Sequence, residues 1–130
     1  LDSLEALTEG LQAAVRRCTE KTVHQVEELK AAGGRHLKDG SPVESSACFR
    51  LACTALDAVP RLADDARRRS LRIACRNNLS CALAAAQRWP EARRCAEQVL
   101  EEDPRNIKAL YRRALAALEL GLISEAIENV

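Results

Sequence analysis

The feature of the sequence that most constrains the fold is a set of residues that recur 34 positions apart. Matching residues occur at this offset in two consecutive segments: Leu83 and Ala117, Trp89 and Ile123, Pro90 and Ser124, Glu91 and Glu125, and Ala92 and Ala126. A period of this length, with turn signals between helical patterns, is typical of stacked helix–turn–helix units. We therefore expect repeats that bury their apolar faces against one another.

An earlier unit matches the middle one at an offset of 47, which is thirteen residues more than 34. The matching pairs are Ser45 and Ala92, Phe49 and Ala96, and Ala52 and Val99. The extra residues fall around 58–70, where they lengthen a loop or extend the next helix. The sequence thus predicts an N-terminal amphipathic helix or linker over residues 1–21 and a repeat domain over 22–130. Its three repeats span about 22–58, 62–103 and 105–130, and the third is truncated.

The composition predicts an all-α fold. Alanine, leucine, arginine and glutamate dominate, aromatic residues make up 2%, and no segment alternates as a strand does. Capping and proline signals predict helices over about 22–38, 42–60, 62–87, 90–102 and 105–120, with Thr22 and Gln25 as a capping box for the first. Gly121 is expected to cap the fifth helix, and Ser124 to start another.

Several apolar positions have predicted roles in packing. The second helix has an apolar stripe, formed by Val43, Ala47, Leu51 and Ala55. Trp89 is expected in the core of a hairpin, beside the small Ala92. A leading stripe, formed by Leu4, Leu7, Leu11, Val15 and Cys18, predicts an extra amphipathic helix packed on the array.

Charge, apolar stretches, cysteine spacing and the lack of a catalytic pattern argue against several classes of function. The chain has 20 Lys and Arg against 19 Asp and Glu, which argues against nucleic-acid binding through a basic surface. Its apolar stretches are too short to span a membrane, and no signal peptide is evident. The six cysteines form no CxxC pair and no zinc-type spacing with His24 or His36, so we expect reduced thiols, a cytoplasmic location and no metal or cofactor. No nucleophile–base set is present, which predicts that these residues are not an enzyme.

Two segments carry a resemblance to a known family. Residues 77–83 read NNLSCAL, and residues 107–114 contain the stretch KALYRRA. They resemble the tetratricopeptide repeat family, and the second segment is similar to co-chaperones whose repeats hold a peptide in a carboxylate clamp. The insertion between the first two repeats is similar to that of the large FK506-binding immunophilins. The resemblance implies a right-handed superhelix of antiparallel helix hairpins.

The same resemblance implies a binding site on the inner wall of the superhelix. Clamp-type repeats carry lysine, asparagine, asparagine, lysine and arginine at five positions, and Lys30, Asn78, Lys108 and Arg112 match four of them. Gly34 replaces the remaining asparagine. The family's ligands are the acidic C-termini of heat-shock protein 70 and 90 chaperones. The chemistry is coherent by itself, because converging cations and an amide can hold a terminal carboxylate and an acidic side chain.

Two alternative functions and one question about a basic segment stay open at this point. In the first alternative, the chain is a scaffold that binds a protein through another surface or forms a homodimer, with residues 2–19 mediating dimerisation or filling the groove. In the second, it is the regulatory repeat domain of an immunophilin whose prolyl isomerase lies outside these residues. We expect the chain to be a fragment of a longer protein, because it begins without Met and ends at Val130 within a helical pattern; residues upstream of Leu1 would distinguish the second alternative. The basic run at 67–76 either prolongs the acidic-peptide groove or contacts phosphates, or it forms ion pairs, Asp64 with Arg68 and Asp65 with Arg69.

Overall fold

The computed structural model describes residues 2–59 and 66–121, and within these ranges the chain is helical and has no strand. Its five helices are α1 (Asp2–Lys38), α2 (Pro42–Asp57), α3 (Ala66–Ala85), α4 (Trp89–Glu102) and α5 (Ile107–Glu119). The all-α prediction is confirmed. None of these helices has the length and apolar character needed to cross a bilayer.

Consecutive helices pack side by side, and α3 lies in the middle, where it also contacts α1 and α5. Two apolar clusters fill the space between them. The first joins α1, α2 and α3 and consists of Val23, Val26, Ala52, Leu56, Leu71 and Cys75. The second joins α2, α3 and α4 and consists of Phe49, Leu79, Ala82, Leu83, Ala92 and Cys95. Hairpins stacked in this order present their first helices, α1, α3 and α5, on one side of the array.

A backbone turn recurs after each of the helices α1, α3 and α5. Gly40, Gln87 and Gly121 have positive φ angles of 76°, 60° and 77°, and their separations are the two offsets, 47 and 34, of the sequence pattern. The amide of Gly40 donates to Leu37 O and the next amide to His36 O, which is the Schellman arrangement that ends a helix. Gln87 and the residue after it repeat these bonds. The predicted C-cap at Gly121 is observed, whereas Ser124 lies outside the described residues.

Replacing Gln87 with glycine is expected to stabilise the domain by about 1 kcal/mol. The side chain of Gln87 is exposed, and its Cβ strains a left-handed backbone that glycine adopts freely. Urea denaturation of Gln87→Gly, read against wild type, measures the effect. Gln87→Ala is the control, because it removes the same side chain and keeps the Cβ; equal stability of the two variants would contradict the argument.

The predicted helix start at Thr22 is wrong, because α1 passes through this position without interruption. The hydroxyl of Thr22 donates to Cys18 O, 3.0 Å away within the helix, and so caps nothing. No proline or glycine lies between Gly10 and Gly33 to stop the helix. A capping-box pattern within an uninterrupted helical sequence therefore does not mark a boundary.

The expectation that the leading segment packs on the array is also wrong. Leu4, Leu7, Leu11 and Val15 are exposed, and the first buried residue of α1 is Thr19. The physical reason is the continuity of α1, which carries residues 2–17 straight past the end of α2. Near that end, Val59 and Cys18 line the same small cleft.

Two further packing predictions need correction. In α2, Val43 and Leu51 are exposed, and the buried face consists of Ser45, Ser46, Phe49, Ala52 and Leu56. The apolar stripe missed this face because Ser45 is a core residue, with its hydroxyl donating to Gly33 O at 2.7 Å. Trp89 is only half-buried, since it is the first residue of α4.

Candidate functional site

The predicted clamp residues lie on three adjoining helices: Lys30 on α1, Asn78 on α3, and Lys108 and Arg112 on α5. Burial raises the pKa of the Cys75 thiol to about 11, and the positive charge of Lys30 acts against this rise. Lys30 lies on α1, and α1 and α3 contact each other. Asn78 lies on α3, three residues beyond Cys75, and is partly exposed. Lys30 and Asn78 therefore belong to adjoining helices of the array.

Lys108 belongs to α5, which also contacts α3. It lines a cleft of about 520 Å³ between α3 and the start of α5, together with Ile73, Ala74, Asn77 and Ile107, among others. Ala74 precedes Asn78 by four residues, which places Asn78 along the same side of α3 as this cleft. Lys108 is exposed, as a ligand-binding ammonium group must be before a ligand arrives.

An amide network fixes the start of α5 against α3. Asn106 caps α5, with its Oδ1 accepting from the Ala109 amide at 3.0 Å and from Asn77 Nδ2 at 3.1 Å. Its Nδ2 donates to Asp103 Oδ2 at 3.2 Å. Sequence reasoning missed Asn77 and Asn106 as positioning residues. An asparagine directly before a helix is an N-cap signal that could have revealed the second of them, whereas the bond across to α3 has no local signal.

Arg112 follows Lys108 by one helical turn, so both project from one side of α5. Its Nε atom is inaccessible to solvent and has no hydrogen-bond partner within residues 2–59 and 66–121. A buried donor without an acceptor is costly, and polar groups of this kind are rare in folded proteins. Whether Lys30, Asn78, Lys108 and Arg112 converge on one ligand stays a prediction.

Gly34, which departs from the clamp pattern, has different surroundings from its neighbour Gly33. A Cβ atom built on Gly34 meets nothing within 4 Å, whereas one on Gly33 lies 2.7–2.9 Å from three ring carbons of Phe49. Gly33 is therefore required by close helix packing, and Gly34 is not. Open space at Gly34, one turn after Lys30, is large enough for a side chain.

The basic run at the start of α3 is engaged mainly with other helices. Its ion pairs are Arg67 with Glu27 at 2.6 Å, Arg72 with Glu102 at 2.9 Å, and Arg76 with Asp57 at 2.6 Å. Arg69 donates to the Glu102 carbonyl at 2.9 Å. These contacts join α3 to α1, α2 and α4, which favours the interpretation that the run forms ion pairs within the fold. The pairs predicted with Asp64 and Asp65 fall outside the described residues.

The side chains that could ligate a metal do not gather at one place in the described part of the chain. No cluster of three or more His, Cys, Asp or Glu side chains that could hold a metal ion occurs among the residues that the structure describes. Burial raises the pKa of Cys53 to about 12. Cys53 and Cys75 are therefore thiols that pack as small apolar groups near neutral pH.

Comparison with known sequences gives distant relatives. No family model matches the chain. A UPF0162 protein of Xylella fastidiosa is 33% identical over 100 residues, which cover 75% of this chain and 35% of that protein. A human FK506-binding protein-like protein is 29% identical over 128 residues, which cover 98% of this chain and 35% of that protein. The chain thus spans about a third of the length of these relatives.

Two solved structures share the architecture. The C-terminal tetratricopeptide-repeat domain of a Plasmodium falciparum FK506-binding protein superposes with a TM-score of 0.78 and 26% identity, covering 85% of this chain and 76% of that one. The second repeat domain of Spaghetti (RPAP3), solved with an HSP90 peptide, gives a TM-score of 0.71 and 21% identity, covering 87% and 92%. The chain therefore has the tetratricopeptide-repeat fold, a superhelix of stacked helix hairpins, and it resembles the repeat domain of FK506-binding proteins.

Proposed function

We propose that the domain binds the acidic C-terminal peptide of a heat-shock protein 70 or 90 chaperone on its inner wall and acts as a co-chaperone-like adaptor in the cytoplasm. In this proposal Lys30, Asn78, Lys108 and Arg112 hold the peptide. The domain itself contributes binding and no catalytic step. Any prolyl isomerase activity would belong to other parts of a longer protein.

The observation that carries the proposal is the distribution of these four side chains over α1, α3 and α5, the three helices on one side of the array. Helix α1, which carries Lys30, contacts α3, and Lys108 lines the cleft between α3 and the start of α5. Asn78 lies on the helix between them. A peptide crossing α3 would thus meet a cation on either side and an amide donor in the middle.

The chemistry of an acidic C-terminus suits this arrangement. A terminal carboxylate and a preceding acidic side chain provide two anionic groups, and a guanidinium can bind a carboxylate through two parallel hydrogen bonds. Support by analogy comes from the Spaghetti domain, whose bound HSP90 peptide, SRMEEVD, has three acidic residues among its last four.

The proposal predicts that Gly34→Asn binds such a peptide about 2–10-fold more tightly than Gly34→Ala. Both variants fill the same open space and remove a helix glycine, but only asparagine adds an amide donor, which is worth about 0.5–1.5 kcal/mol. Isothermal titration calorimetry with the SRMEEVD peptide measures the dissociation constants of wild type and both variants. A peptide with an amidated C-terminus serves as the ligand control.

Two results would contradict the proposal. Binding of the amidated peptide as tight as that of the free acid would mean that no carboxylate clamp exists. Absence of binding by both wild type and Gly34→Asn, with folding verified by circular dichroism, would remove the chaperone-tail assignment and leave an interaction domain for another ligand.

A further inference from the structure

The leading part of α1 presents an apolar stripe that the rest of the domain does not cover. The exposed fractions of Leu4, Leu7 and Leu11 are 65%, 66% and 68%, and that of Val15 is 44%. Cys18, at the end of the stripe, is exposed and unoxidised. Because these residues belong to a regular helix, the stripe is a rigid surface about 21 Å long. A row of exposed leucines of this kind marks an interaction surface.

The spacing of the stripe is symmetric. From Leu4 to Cys18 its members are separated by 3, 4, 4 and 3 residues, so the row reads the same from either end, with Leu11 at its centre. An antiparallel pair of identical helices needs this property, because a two-fold axis makes each residue face its mirror position. With the axis at Leu11, Leu7 faces Val15 of the second copy, and Leu4 faces its Cys18.

The charges beside the stripe select the same direction of pairing. Residues 2–9 carry Asp2, Glu5 and Glu9 and no basic residue, whereas residues 10–18 carry Arg16 and Arg17 and no acidic residue. Antiparallel pairing brings the acidic half of one helix beside the basic half of the other. Parallel pairing would instead align acidic with acidic and basic with basic halves, which is unfavourable.

We propose that the leading segment of α1, residues 2–18, is a homodimerisation helix that pairs antiparallel with the same segment of a second copy, centred on Leu11. The contact lies beyond the end of α2 and leaves the inner wall of each repeat domain free. Dimerisation would therefore present two peptide sites on one particle. The inference does not depend on which peptide those sites bind.

Sedimentation equilibrium of the full chain over a range of concentrations tests the self-association. We expect a monomer–dimer equilibrium for wild type, and a dissociation constant at least about 100-fold higher for Leu7→Glu/Leu11→Glu. Both leucines are exposed within the monomer, so this variant should keep the wild-type circular dichroism spectrum and melting temperature. Val43→Glu/Leu51→Glu, which places the same two charges on the exposed apolar face of α2, is the matched control and should dimerise as wild type does.

Disulfide trapping tests the direction of pairing. In the antiparallel arrangement, Leu4→Cys faces the native Cys18 of the second copy, so mild oxidation of this variant should give a covalent dimer. The control Leu4→Cys/Cys18→Ser should give none, because the two introduced cysteines then lie at opposite ends of the pair. A parallel arrangement would instead cross-link wild type through Cys18 and the control through position 4.

Three outcomes would overturn the proposal. A chain that stays monomeric at about 100 μM would show that some other segment or partner covers the stripe. A dimer that persists in Leu7→Glu/Leu11→Glu would place the interface elsewhere. Cross-linking of wild type through Cys18 would establish parallel pairing. None of these results bears on peptide binding, which calorimetry measures separately on the inner wall.

Discussion

Gly33→Ala is expected to leave the domain about 1–3 kcal/mol less stable than Gly34→Ala, although the two glycines are adjacent. Each substitution gains the same helix propensity, about 1 kcal/mol, so this contribution cancels between the variants. What differs is the space available. The new methyl group at Gly33 would lie 2.7–2.9 Å from ring carbons of Phe49, whereas the one at Gly34 meets nothing within 4 Å.

The neighbours of Gly33 cannot move away cheaply. Phe49 is 2% exposed and packs within the cluster that joins α2, α3 and α4. The Ser45 hydroxyl donates to Gly33 O at 2.7 Å, which holds α1 and α2 at this separation. Relief of the clash therefore requires either a shifted ring or a broken buried hydrogen bond.

Urea denaturation of the two alanine variants measures the difference. Combining Gly33→Ala with Phe49→Leu tests the cause, because a smaller side chain at position 49 leaves room for the new methyl group. Gly33→Ala should therefore cost less stability when it is introduced into the Phe49→Leu variant than when it is introduced into wild type. Equal stability of Gly33→Ala and Gly34→Ala would mean that the close approach of α1 and α2 is not required.

The contrast between these glycines also shows what the sequence could not reveal. A Gly33-Gly34 pair is a helix-weakening feature by propensity alone, and nothing local distinguishes its two members. The distinction arises from Phe49, sixteen residues away in the chain and in another helix. The spacing of residues along the chain carries no information about long-range packing of this kind.

Helix ends were predictable where a strong local signal exists. Pro42 starts α2, and Gly121 caps α5, as expected from the restricted backbone of proline and the freedom of glycine. The boundary at Thr22 failed because a hydroxyl can bond back within a helix as readily as it caps one. The periodic pattern located the hairpin turns well, even at Gln87, where a non-glycine residue occupies the left-handed position.

The sequence predicted the residue types of the candidate site but not the contacts that hold its helices in place. Lys30, Asn78, Lys108 and Arg112 came from motif positions, each of which depends on a short segment. The bond from Asn77 to Asn106, which fixes α5 against α3, joins residues 29 positions apart. Likewise, the arginine run at the start of α3 finds acidic partners on three other helices. Such contacts depend on the stacking of repeats and follow only from the folded structure.

Arg112→Glu is expected to weaken binding of the acidic peptide by about 100-fold or more. The substitution removes charge-assisted hydrogen bonds worth about 1.5–3 kcal/mol each and places a like charge against the peptide carboxylates. Arg112 lies one turn from Lys108 on α5, so the new carboxylate would also compete with the peptide for the Lys108 ammonium group. Calorimetric titration with the SRMEEVD peptide measures the loss.

Arg94→Glu is the matched control, because it makes the same charge change at an exposed position of α4, which carries none of the proposed peptide-binding residues. It should bind within about 2-fold of wild type at physiological salt, since screening over about 8 Å removes most of a distant charge effect. Equal losses in the two variants would indicate a general field effect and no clamp. An unchanged affinity in Arg112→Glu would remove Arg112 from the site. A loss confined to Arg112→Glu that shrinks at high salt would instead place a peptide carboxylate beside Arg112 on α5.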